Sequence, residues 1–96
     1  MTPEETRELL QRVLAEIQNA SGRSVPEIHD GLHPIGDLEG FDSLNALEAT
    51  CLLSEYLGYD IDSNLLLPTY PGRQLTFEAI VGRLYQAINA QGGLST

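Results

Sequence analysis

The sequence predicts an all-α fold: a small four-helix bundle of three long helices and a short third helix, with a long loop between helices one and two. Three observations lead there. Apolar residues recur at helical spacing in three separate stretches, each marking one buried helix face. The segments between them are dense in Gly and Pro. No stretch alternates apolar and polar residues over the several positions that a half-buried strand needs. At 96 residues the chain has apolar sequence for one modest core, so residues 1–96 are read as a single domain without internal repeats.

Thr2-Pro3-Glu4-Glu5 reads as a helix start: Thr2 caps, Pro3 suits the first helical position, and Glu5 completes a capping box. Leu9, Leu10, Val13, Leu14 and Ile17 then share one face, and Ser21-Gly22 marks the end, giving a first helix from about Pro3 to Asn19. Between residues 20 and 41, Gly22, Pro26, Gly31, Pro34, Gly36 and Gly40 leave no room for a long regular element. A loop of this length in a compact domain needs anchors, and Val25, Ile28, Leu32, Ile35 and Leu38 are the candidates. The second long helix opens at Asp42-Ser43 and runs to Leu57, stopped by Gly58 as a left-handed cap. Its apolar residues form two stripes. Ala46, Ala49, Leu53 and Leu57 are expected to face the core; Leu44, Leu47 and Cys51 form the other stripe, beside Glu48 and Glu55. A helix apolar on two stripes is either deeply buried or offers one stripe to a partner. After an irregular stretch from Asp60 to Gln74, in which Leu65-Leu66-Leu67 can close one short helical turn, Thr76 caps a last helix. Phe77, Ile80, Val81, Leu84 and Ile88 give that helix its apolar stripe, and Gly92-Gly93 are expected to fray.

The charge is segregated. There is no lysine, and the basic residues are Arg7, Arg12, Arg23, Arg73 and Arg83. Between Arg23 and Arg73 lie nine acids and no formal positive charge: Glu27, Asp30, Asp37, Glu39, Asp42, Glu48, Glu55, Asp60 and Asp62. The flanks cancel, so the whole net charge of -9 sits in the middle of the chain. Such a field repels nucleic acid and anionic membranes and attracts basic protein surfaces. No apolar run is long enough to cross a bilayer, no signal-peptide pattern opens the chain, and the single Cys51 excludes an internal disulfide framework. A cytoplasmic protein is therefore expected, and nothing in the sequence signals an oligomer, so a monomer is expected too.

The chemistry concentrates at Gly40-Phe41-Asp42-Ser43-Leu44, which puts a serine hydroxyl at the first turn of a helix. Helix N-termini carry free N–H groups and partial positive charge, so a phosphodiester attached to Ser43 is expected to meet those donors. An ordinary N-cap is the competing reading of the dipeptide. The longer stretch Asp42-Ser43-Leu44-Asn45-Ala46-Leu47-Glu48 resembles the attachment motif of acyl carrier proteins and of peptidyl and aryl carrier domains. That motif is a DSL triplet followed, three residues after its Leu, by an aliphatic residue and usually a Glu. The resemblance extends over the apolar positions Leu53, Leu57 and Ile61 and over the order of elements, covering roughly residues 3 to 90.

The resemblance implies that Ser43 carries a 4'-phosphopantetheine arm, installed from coenzyme A by a phosphopantetheinyl transferase, and that Asp42 helps present the serine and bound magnesium to that enzyme. It implies partner contacts at Leu44, Leu47 and Cys51. Glu48 and Glu55 match an acidic strip that greets the basic docking patches of a loading ligase and downstream synthases. The chain would hold acyl or aminoacyl groups as thioesters and would not itself be an enzyme. Gly40-Phe41 departs from the Leu-Gly-x that precedes the Asp in many members, which makes the approach to Ser43 bulkier. Asn45 and Ser54 replace residues often acidic in fatty acid carriers, and the stretch from Ile61 to Thr76 is longer than theirs. These departures favour a specialised fatty acid, polyketide or nonribosomal peptide type pathway. The competing reading is an acidic helical interaction module that carries no cofactor. Other signals are weaker. Asp60-Ile61-Asp62-Ser63-Asn64 begins like a calcium loop but has Leu65 in place of the required Gly, and His29 and His33 lack further metal ligands, so no metal site is expected. A serine hydrolase reading of Ser43 lacks a nucleophile elbow and a base.

Overall fold

The computed structural model describes residues 1–68 and 73–94, and in them the chain is all-helical. Four helices follow in order: α1 (Pro3–Ala20), α2 (Pro34–Asp37), α3 (Ser43–Leu57) and α4 (Phe77–Leu94). The α1 capping box forms in full: Glu5 N–H donates to Thr2 Oγ1 at 3.1 Å and Thr2 N–H donates to Glu5 Oε1 at 2.9 Å. Behind it Leu10, Val13, Leu14 and Ile17 are buried on one face and Leu9 packs at its edge. α1 is the central wall, packing against both α3 and α4. No helix among the described residues is long and apolar enough to cross a membrane.

The short helix does not sit where the sequence places it. α2 lies inside the long first loop, where Asp37 accepts the His33 N–H at 2.7 Å and draws one turn closed around Pro34. Gly36, at φ 118, interrupts its helical geometry. At Leu65–Leu67 the chain instead makes two overlapping turns, Leu65 N–H to Asp62 O and Leu67 N–H to Asn64 O, both at 3.0 Å. These bury Leu65 and Leu66, and Arg83 of α4 donates to Leu67 O at 3.0 Å. Thr69, Tyr70, Pro71 and Gly72 lie outside the described residues.

Most of the loop anchors hold. Ile28, Leu32 and Leu38 are buried and Ile35 packs against the core, but Val25 is exposed, because residues 24–27 run over the outside and the chain turns inward only at Ile28. The loop is also tied to the start of α4: Phe77 N–H donates to Leu32 O at 2.6 Å and Glu78 N–H to Asp30 O at 3.1 Å. Arg7 pairs with Asp30 while lying over the Phe77 ring, 5.2 Å from its centroid. Thr76 caps α4 as expected, accepting from Ala79 N–H at 3.2 Å. Phe77, Ile80, Leu84 and Ile88 point into the core. α4 runs through Gly92-Gly93 to Leu94, past the point of expected fraying. Each residue added to a formed helix gains a hydrogen bond on an existing template, so glycine weakens such a tail without terminating it.

Candidate functional site at the first turn of α3

Asp42 is the N-cap of α3, and Ser43 its first helical residue. Asp42 Oδ1 accepts from Leu44 N–H at 3.0 Å and from Asn45 N–H at 3.1 Å, while Asn45 Oδ1 accepts from Asp42 N–H at 3.2 Å. The helix terminus is thus closed by a carboxylate. This narrows the donors that a phosphodiester on Ser43 is expected to meet. Two of the first-turn donors are filled, because an aspartate at the cap reaches them more readily than any group mounted on the next residue. The Ser43 N–H has no acceptor among the described residues, and Ser43 Oγ makes no hydrogen bond there either. Ser43 is exposed, so its hydroxyl is open to an incoming reagent.

The approach to the serine is not bulky. Phe41 is only 4% exposed and its ring belongs to the core, so it anchors the segment from below and leaves the surface clear. Gly40 precedes it at φ 66, a left-handed conformation that glycine adopts without strain. Phe41 N–H closes a turn on Leu38 O at 3.1 Å.

Downstream, the two stripes of α3 separate as the sequence predicts. Ala46, Ala49 and Leu53 are buried, with Leu57 partly so. On the other side Leu44 is 75% and Leu47 43% exposed, and Cys51, Glu48 and Glu55 are exposed with them. An exposed leucine one residue after an exposed serine, continued by a second leucine on the next turn, is an apolar strip that none of the described residues covers. Below it lies a groove of about 350 Å³ lined by Leu47, Cys51, Ser54, Asp60, Ile61 and Ser63 among others. Ser54 builds it, donating to Thr50 O and accepting from Ile61 N–H, each at 2.9 Å, so that residues 60–63 fold back on α3. Sequence reasoning missed this groove, although its cause was partly visible: Gly58, at φ 83, reverses the chain there.

Sequence reasoning also missed Gln18 and Arg23. Gln18 is fully buried, and its Nε2 donates to Glu39 O at 2.8 Å. Arg23 donates to Gly40 O, also at 2.8 Å. Gln18 comes from the last turn of α1 and Arg23 from the loop just beyond it, and both hold the chain just ahead of Ser43. No motif announces them, since a glutamine and an arginine at a helix end read as surface residues.

Among the described residues, no group of three or more His, Cys, Asp or Glu side chains is arranged to hold a metal ion. His33 instead faces Asp37 across 3.4 Å. Comparisons of the chain with protein-family models, with curated proteins and with solved structures find no match.

Proposed function

We propose that the chain is a carrier protein whose 4'-phosphopantetheine arm is attached at Ser43. The observation that carries the reading is the exposed, unbonded Ser43 hydroxyl at the start of α3, directly beside an uncovered apolar strip edged by Glu48 and Glu55. The residues present fit the group. Ser43 supplies the oxygen, its own N–H is free for a phosphodiester oxygen, and the Asp42 carboxylate directs the rest of that anion outward by repulsion. In the loading step Ser43 Oγ forms a bond to the β-phosphorus of coenzyme A. The pyrophosphate bond breaks, adenosine 3',5'-bisphosphate leaves, and the serine proton passes to a base on the transferase. Asp42 Oδ2 takes no part in capping, which suits it to the magnesium that the resemblance assigns to this step. Once attached, the arm's thiol would hold acyl or aminoacyl groups as thioesters at high effective concentration for successive enzymes. The chain's own contribution is recognition: Leu44, Leu47 and Cys51 supply apolar contact, and Glu48 and Glu55 steer a loading ligase and synthases with basic patches.

The experiment is direct. The protein is incubated with coenzyme A, magnesium and a broad-specificity phosphopantetheinyl transferase, and its intact mass is measured. One arm per chain on the wild type and none on Ser43→Ala is expected; no adduct, or an equal adduct on Ser43→Ala, refutes the assignment.

The closure of the helix terminus by Asp42 favours a second reading, an acidic interaction module that presents the Leu44/Leu47/Glu48 face without any cofactor. Under that reading Ser43→Ala retains full activity in cells.

A further inference from the structure

The segment that delivers Ser43 is held by side chains of another element. Glu39 O receives Gln18 Nε2 and Gly40 O receives Arg23. Phe41 N–H is closed on Leu38 O, Asp42 N–H on Asn45 Oδ1, and Asp42 O accepts from Ala46 N–H at 2.9 Å. The polar backbone groups leading into the serine are thus largely fixed, with Phe41 seated in the core beneath them. Two of these ties reach across from the last turn of α1 and the loop that follows it, and they reinforce one another, because Arg23 N–H donates to Gln18 O at 2.8 Å.

The form of the ties points beyond stability. Gln18 is 0% exposed, and its Oε1 has no hydrogen-bond partner among the described residues. The Glu39 carbonyl accepts only a donor, so the amide must aim Nε2 at it and leave Oε1 buried and unmatched. A leucine of similar volume would fill the site without that penalty, so the amide's distinctive contribution is where it holds residue 39. Arg23 lies so close over Gly40 that a Cβ there would come within 2.6 Å of its Cζ. The glycine and the guanidinium fit as a pair.

We infer that Gln18 and Arg23 are positioning residues for modification of Ser43: they clamp residues 39 and 40 so that the first turn of α3 presents the hydroxyl in one orientation to the transferase. The inference rests on the carrier reading. Neither residue lies on the face formed by Leu44, Leu47 and Glu48, so losing the clamp leaves docking intact and misaims the nucleophile. Misplacement of a reacting atom by about an ångström costs up to about a hundredfold in rate.

The test compares wild type, Gln18→Leu, Arg23→Ala and Arg23→Lys in the loading assay, with amide hydrogen exchange on the unmodified proteins. Gln18→Leu and Arg23→Ala are expected to lower kcat for arm transfer at least about tenfold with KM essentially unchanged. Arg23→Lys, which keeps a donor for Gly40 O, is expected to recover most of the rate. In the two slow variants the amides of Leu44 and Asn45 exchange faster while those in the middle of α4 stay protected. Wild-type kcat in both, a loss that appears in KM alone, or protection lost equally from α4 overturns the inference and leaves the carrier reading standing. A wild-type chain that accepts no arm removes both.

Discussion

At Asp42 a single carboxylate oxygen holds two backbone N–H groups, so any substitution there tests a structural role and a chemical one together. Asp42→Ala is expected to lower stability by about 1 kcal/mol, read from urea unfolding, the ordinary cost of losing an N-cap. Asp42→Asn keeps an oxygen for the cap and is expected to restore that stability. If the carboxylate also presents magnesium, Asp42→Asn remains slow in arm loading; full loading by Asp42→Asn would leave the residue a cap and nothing more. Two other carboxylates carry an expected pH dependence. The His33 backbone N–H holds the Asp37 carboxyl below its ordinary value, and the Thr2 backbone N–H does the same for Glu5. Both groups therefore bind protons less readily folded than unfolded. Their contribution is present at neutral pH and is lost as pH falls through the lowered folded values. The melting temperature of Glu5→Gln/Asp37→Asn is accordingly expected to lie below wild type at pH 7 and to converge on it as pH falls through and below the ordinary carboxylate range.

α3 carries the molecule's division between core and surface in one helix. Leu53 is fully buried, and Leu53→Ala is expected to cost about 2–5 kcal/mol, enough to unfold a marginal domain of this size. Leu44→Ser with Leu47→Ser, on the opposite side, is expected to shift stability by less than about 1 kcal/mol while slowing arm loading, measured by denaturant unfolding beside the mass assay. Equal stability losses from the two sides would mean that the outer strip is packed in solution. Both stripes were legible in the sequence, since a 3.6-residue period sorts Ala46, Ala49 and Leu53 from Leu44 and Leu47 without further information. So were the caps at Thr2, Thr76 and Gly58, which are local chemistry. What could not be read were contacts between distant positions. Gln18 with Glu39, Arg23 with Gly40 and Ser54 with Ile61 depend on where the chain returns, and periodicity carries no such signal. Phe41 was misjudged for the same reason: beside the serine in sequence, its ring lies in the core beneath it.

Across the whole molecule, the arginines largely hold the architecture together. Arg7 pairs with Asp30, Arg23 with the Gly40 carbonyl and Arg83 with the Leu67 carbonyl, so the positive charges near the acidic middle are engaged in anchoring loops. The net charge of -9 already includes these arginines, which keep their positive charge when bound to carbonyls, so a partner approaching α3 meets a field that is acidic overall. Glu48→Lys with Glu55→Lys is expected to slow association with the transferase at low salt, and the difference from wild type should shrink as ionic strength rises. Modification at the wild-type rate in low salt would exclude the acidic strip as a docking surface. Millimolar magnesium or calcium is expected to raise the melting temperature by relieving like-charge repulsion, and a melting curve unmoved by either ion refutes that account. The placement of α1 between α3 and α4 has a consequence of its own. Cut at Ser21-Gly22, the chain would yield a lone amphipathic peptide and a remainder whose two long helices have lost their common backing. Neither piece is expected to hold a shape alone and mixing them is expected to rebuild the bundle, which helicity measured on the separate and the combined pieces would check, making the junction after α1 the seam for a two-part version of the fold.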